Sequence, residues 1–148
     1  MLDIEGIEAR LDKLDEYVQV LKELQGAARS TFLTDYHLYG LAERYLQLSI
    51  ECLLDIGIML VTGLRLRRPE RHQDVVDILV EAGVLSPELG TRLAGIAGFR
   101  NILVHEYLQI DRNLVYQKLQ EGIADFENFA AEVVRFLQQN RGDDKEIL

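Results

Sequence analysis

The stretch from Leu38 to Met59 constrains this chain more than any other. Leu38, Leu41, Tyr45, Leu48, Cys52 and Met59 fall on one stripe of a helix, and Ile50, Leu53, Leu54 and Ile58 add a second. A helix that is apolar around so much of its circumference has to be covered on several sides, by its own bundle or by another subunit. It is therefore expected to be the centre of an all-helical fold. The rest of the chain agrees. There are only two prolines in 148 residues, and Ile4, Ile7, Leu11, Leu14, Val18 and Leu21 alternate steps of three and four, the seam of a bundle helix.

Punctuation along the chain divides it into about five helices. The first is expected over residues 3 to about 25, ended by Gly26. The second, capped by Ser30 or Thr34, runs to about Thr62. A short third helix is expected from about Pro69 to Ala82, stopped by Gly83, and a fourth from Ser86-Pro87-Glu88 to about Tyr107. Asp111 caps the last, which runs to about Gln139 through Val115, Leu119, Ile123, Phe126, Phe129 and Val133, leaving 140–148 as a frayed tail. Short connections favour antiparallel neighbours in a single domain over 1–148, with its core at about 3–139.

Composition narrows the chemistry. A hydrophobic fraction of 48% and a charged fraction of 28% are those of a soluble globular protein. No run of about 20 apolar residues stands out as a membrane span, and Met1-Leu2-Asp3-Ile4-Glu5 lacks the basic start of a signal peptide, so the expected location is cytoplasmic. Cys52 is the only cysteine and sits in an apolar run, which fits a small core residue better than a nucleophile. A net charge of −9 weighs against a dedicated nucleic-acid binder, since phosphate neutralisation supplies most of such affinity, but it leaves room for a locally basic cleft. The one concentration of positive charge is Arg65, Arg67, Arg68 and Arg71. It is either a surface that contacts RNA or a partner, or a solvated connection whose cations suit a helix C-terminus.

No phosphate-binding glycine loop, zinc helix or paired-cysteine site is present, and no metal or cofactor is expected. What remains is Arg100, Asn101, His105 and Tyr107, four polar residues in an otherwise apolar segment. One reading makes them an ordinary helix end, with basic side chains near the last carbonyls. The other joins a permanently charged guanidinium, able to hold a phosphate, to an imidazole suited to proton transfer near neutral pH. That pair can cleave RNA using the substrate's own 2′-hydroxyl as nucleophile. At 100° per residue Arg100 and His105 lie about 140° apart, so one straight helix does not converge them. Either the helix ends or distorts near His105, or a homodimer completes the cleft across a two-fold axis.

The segment Arg100-Asn101-Ile102-Leu103-Val104-His105-Glu106-Tyr107 resembles the R-x4-H-x-Y motif of the HEPN superfamily in its HepT-like branch. The similarity extends to the helix around Leu41–Asp55, to Leu93–Phe99 before the motif and to Ile110–Val115 after it, covering roughly residues 30 to 137. It implies an all-helical, dimeric, metal-independent endoribonuclease toxin, paired with an MntA-type nucleotidyltransferase antitoxin. It further implies that Arg100 and His105 are catalytic, that Asn101 shapes the cleft, and that Tyr107 is the tyrosine to which the antitoxin adds AMP. Asp55 matches a recurrent polar position on the central helix, from which it would orient Arg100 or His105. The alternative function is a non-catalytic helical adaptor, or a nucleotide-binding subunit of a nucleotidyltransferase complex.

Overall fold

The computed structural model describes residues 1–106, 108 and 110–147, with side chains described through Arg141. Tyr107 therefore lies outside the described residues. Among them are seven helices and no strand: α1 (Ile4–Gln25), α2 (Arg29–Thr34), α3 (Tyr36–Gly63), α4 (Asp74–Glu81), α5 (Pro87–Arg92), α6 (Ile96–His105) and α7 (Arg112–Ile147). The all-helical bundle expected from the spacing is present.

Three of the expected helices differ for local reasons. The second is split because the Asp35 carboxylate accepts from the His37 N–H at 2.9 Å, capping α3 just after α2 ends. Neither Ser30 nor Thr34 is that cap. The third begins at Asp74 rather than near Pro69. The Asp74 carboxylate accepts from the N–H groups of Glu70 and Arg71, at 3.2 and 2.9 Å, and this holds the preceding residues in a turn. The fourth is broken at Gly95, whose φ of +82° is left-handed and ends α5 before α6 begins. Ser86 does cap α5, accepting from Leu89 N–H at 3.2 Å, and Glu132 on α7 accepts from the Ser86 N–H at 2.6 Å. At the other end α7 continues past Asn140 to Ile147, and Arg141 reaches Glu8 at 2.6 Å.

Helix α3 is the hub. It packs against α1, α2, α4, α6 and α7, and Ala42, Leu46, Ile50, Leu53, Leu54, Ile56, Leu60 and Val61 are all buried. By length and composition it could cross a membrane, which makes it more apolar than the residue-by-residue reading suggested; here more than half of that stretch is buried inside the protein. The covering expected from a bundle or a second subunit is thus largely supplied by the chain itself. Contacts between Cys52 and Arg10, and between Gly63 and Leu2, set α1 antiparallel to α3. The reciprocal Gln25–Gln120 amide-to-carbonyl bonds and the Lys22–Glu127 pair set α1 antiparallel to α7.

One face of α3 stays open. It runs through Tyr36, Gly40, Arg44, Gln47, Glu51, Asp55 and Ile58, all exposed or half-buried. Cys52 lies beside this stripe but is buried, its Sγ donating to the Arg10 carbonyl at 3.1 Å.

Gly95→Ala forces a side chain into the left-handed region and should destabilise the fold by about 1–2 kcal/mol, read from the urea midpoint at unchanged slope. Burial, with Asp55 adding to it, pushes the Cys52 thiol from 9 up to about 11. Ionisation then favours the unfolded chain, so Cys52 leaves stability intact below pH 9 and diminishes it as pH rises towards 11. Cys52→Ser or Cys52→Ala should flatten that alkaline decline in a pH series of denaturation curves.

Candidate active site

Helix α6 carries Arg100 in its middle and His105 as its last residue. Its apolar side, Ala97, Phe99 and Leu103, is buried, which holds the helix by packing and turns the remaining faces outward. Arg100 emerges at the edge of that packed face. Its guanidinium meets Glu51 on the open stripe of α3, with Nε 3.2 Å and Nη2 3.1 Å from Oε1. Nη1 donates to the Asn101 side-chain oxygen at 3.2 Å, and Gln47 donates to the same Glu51 oxygen at 3.2 Å. Arg100 and Glu51 are only 23% and 32% exposed, so water screens them incompletely and the pair is correspondingly stronger than one at the surface.

The geometry of this contact matters for chemistry. Glu51 occupies the side edge of the guanidinium, formed by Nε and Nη2. One N–H on each of Nη1 and Nη2 is left unused by these contacts, and guanidinium N–H donors of this kind suit a phosphate. Sequence reasoning missed Glu51. It named Asp55, one turn further along α3, which is exposed and makes no hydrogen bond or ion pair to Arg100 or His105 among the described residues. The usable signal was the spacing of Glu51 and Asp55, which shares one helix face, but spacing alone does not say which turn meets α6.

His105 is exposed at the helix end, where Glu106 leaves helical geometry with φ −121° and ψ 45°. The helix therefore ends after His105, not before it. Arg100 and His105 share one continuous helix and keep the angular separation of about 140° that five helical steps impose. Asn101 is brought to Arg100, and His105 is not. Beyond the helix, Arg112 donates to the Leu33 carbonyl at 3.3 Å and lies 3.9 Å over the Tyr39 ring. Arg100 therefore meets α3 near its middle and Arg112 meets it near its start. At that end burial pushes the Glu43 carboxyl above its usual range, with Arg112 pulling it back.

The arginine cluster lies elsewhere. Arg67 forks Glu81 with bonds of 3.0 and 2.8 Å, and Arg71 pairs with Asp74 at 3.6 Å. Arg65, with φ 55°, and Arg68 are exposed in the same loop. This loop follows the C-terminal end of α3, about 18 Å along the helix from Glu51 by its rise per residue. That exceeds the screening length of about 8 Å at physiological salt, so within one chain the cluster does not supply the field at Arg100. No group of three or more His, Cys, Asp or Glu side chains gathers as a metal site among the described residues.

Similarity to known proteins extends over most of the chain. The family model described as ribonuclease HepT-like matches residues 10–133. The tRNA nuclease HepT of Aphanizomenon flos-aquae is 27% identical over 131 residues, covering 88% of this chain and 89% of that protein. The mRNA nuclease HepT of Shewanella oneidensis is 28% identical over 100 residues, 68% of this chain and 75% of that one. Among solved structures, the tri-AMPylated HEPN toxin of Shewanella oneidensis in complex with MNT antitoxin superposes with a TM-score of 0.80 at 24% identity, over 91% of this chain and 99% of that chain.

Glu51→Gln keeps the shape but removes the charge facing Arg100. It should cost about 1–2 kcal/mol, in the range for a charged hydrogen bond at a half-buried site, read from chemical denaturation at pH 7.

Proposed function

Since this chain belongs to the HepT-like ribonuclease family, we propose that it is the toxin of a toxin–antitoxin pair, an endoribonuclease that cuts RNA through Arg100 and His105 without a metal. The observation that carries this is the Arg100 guanidinium, held at Nε and Nη2 by Glu51 and at Nη1 by Asn101 with one N–H on each of Nη1 and Nη2 still unused, on the helix that ends in an exposed His105. Nothing about a mere helix end calls for an arginine fixed at both ends of its fork.

In the proposed reaction the RNA 2′-hydroxyl attacks the adjacent phosphorus. A bond forms between the 2′ oxygen and phosphorus, the bond from phosphorus to the 5′ oxygen breaks, and a cyclic phosphate and a 5′-hydroxyl result. Arg100 binds the non-bridging oxygens as charge builds on them, and an imidazole removes the 2′ proton or protonates the leaving oxygen. The 140° between Arg100 and His105 favours a homodimer in which the two α6 ends face one another, so that each cleft combines residues of both subunits. A second imidazole in such a cleft allows one to act as base and the other as acid.

Tyr107 is the proposed switch, by its position two residues after His105 and by the likeness to a toxin described as tri-AMPylated. AMP on its hydroxyl would add bulk and a phosphodiester charge two residues after His105 and compete with the RNA phosphate. The enzyme adding it is proposed to be a nucleotidyltransferase antitoxin of the MntA type, acting on a cytoplasmic toxin.

Unmodified protein should cleave RNA in EDTA, and Arg100→Ala or His105→Ala should each reduce the rate by at least about 100-fold. Cleavage that persists in both variants removes these residues from the mechanism, whereas unmodified protein that cuts no RNA puts the adaptor reading in its place. Incubation with ATP and the antitoxin should raise the intact mass in AMP-sized steps, and Tyr107→Phe should block every step.

A further inference from the structure

Gly40 lacks an internal explanation. It sits in the second turn of α3, where glycine weakens a helix relative to alanine, yet a Cβ built there meets nothing within 4 Å. No neighbouring helix needs the space. The residues around it on the open stripe are equally uncovered. Tyr36, one turn earlier, is 65% exposed, and its ring stacks on His37 with centroids 4.2 Å apart. Arg44, one turn later, is exposed and makes no ion pair among the described residues. Tyr36, Gly40 and Arg44 all lie within about 60° of Glu51 around the helix. The stripe therefore reads, in order, as an aromatic face, a bare notch, a free cation, and then the Glu51–Arg100 pair, with about 12 Å from Tyr36 to Arg44 and about 10 Å more to Glu51.

We propose that the open face of α3 from Tyr36 through Gly40 to Arg44 is a binding track for single-stranded RNA, leading the strand into the cleft at Arg100. A base stacks on the exposed Tyr36 ring, the backbone crosses the notch at Gly40, and a phosphate meets Arg44 before the scissile phosphate reaches Arg100. Stacking platforms combined with spaced cations are how single strands are held without reading their sequence. Continuity with the catalytic arginine and the cation in the middle of the track favour RNA over an apolar partner for this face. The inference rests on the ribonuclease reading of Arg100 and His105 and assigns that site its substrate path.

The test uses the full chain carrying His105→Ala, so that RNA is bound without being cut, and a fluorescently labelled single-stranded RNA of about 12 nucleotides. Tyr36→Ala should weaken binding about tenfold, and Tyr36→Phe should stay within about twofold of the parent. Gly40→Leu should weaken binding comparably while its melting temperature holds or rises, because the notch is open and leucine is the better helix former. Arg44→Gln should lower the slope of affinity against salt by about one. Parent-like RNA affinity in both Tyr36→Ala and Gly40→Leu overturns the track and leaves the ribonuclease reading standing. Loss of self-association or of nucleotidyltransferase binding in those variants, with RNA affinity intact, overturns it in favour of a protein interface. A parent that binds no RNA overturns both.

Discussion

Burying α3 is the constraint on which everything else depends. A 28-residue helix with buried side chains from Ala42 to Val61 cannot stand alone in water, and each other helix is placed by the part of it that it covers. Helix α1 runs back along it, α7 runs beside it, and α2, α4 and α6 close the remaining sides. Because the chain does most of this covering itself, the second subunit is not needed to hide the core. Its proposed role is instead to bring a second His105 to a site that one α6 cannot complete.

Where the covering stops, the chemistry starts. Glu51 stands at the boundary between the packed and the open faces of α3, and Arg100 at the corresponding boundary of α6. Half-burial makes each ion costly without the other, so the two helices dock in a register that also fixes the direction of the guanidinium. Packing and the geometry proposed for catalysis are then the same contact, and Asn101 and Gln47 stiffen it through bonds of 3.2 Å each.

Charge explains the rest of the arrangement. In a chain of net charge −9, several cations are spent on neighbouring carboxylates: Arg67 on Glu81, Arg92 on Asp125, Lys22 on Glu127 and Arg141 on Glu8. The arginine-rich loop was conspicuous in the sequence for its density, but two of its four arginines are already paired and all of them lie past the far end of α3. Arg44, inconspicuous in the sequence, faces solvent on the same stripe as Glu51, the anchor of the arginine proposed to be catalytic. Density of charge along a chain is a poor guide to potential at a site, because screening and pairing act over a few ångströms in space.

The helical class, the central place of α3, the burial of Cys52 and the chemical character of the Arg100 to Tyr107 segment were all legible in the sequence. Each depends on spacing within one helix or on a side chain's own chemistry, and a period of 3.6 residues is a local property. The splits at Asp35 and Gly95 escaped it because apolar periodicity continues across both breaks, while a cap or a left-handed residue is a choice made at a single position. The partner of Arg100 escaped it for a different reason: Glu51 is 49 residues away, and which turn of α3 meets α6 is decided by how the two helices pack. Local helix formation and the phosphate-seeking character of particular side chains can be read residue by residue along the chain. That Glu51 rather than Asp55 holds the arginine cannot, because the contact exists only once two separately formed helices have settled their register.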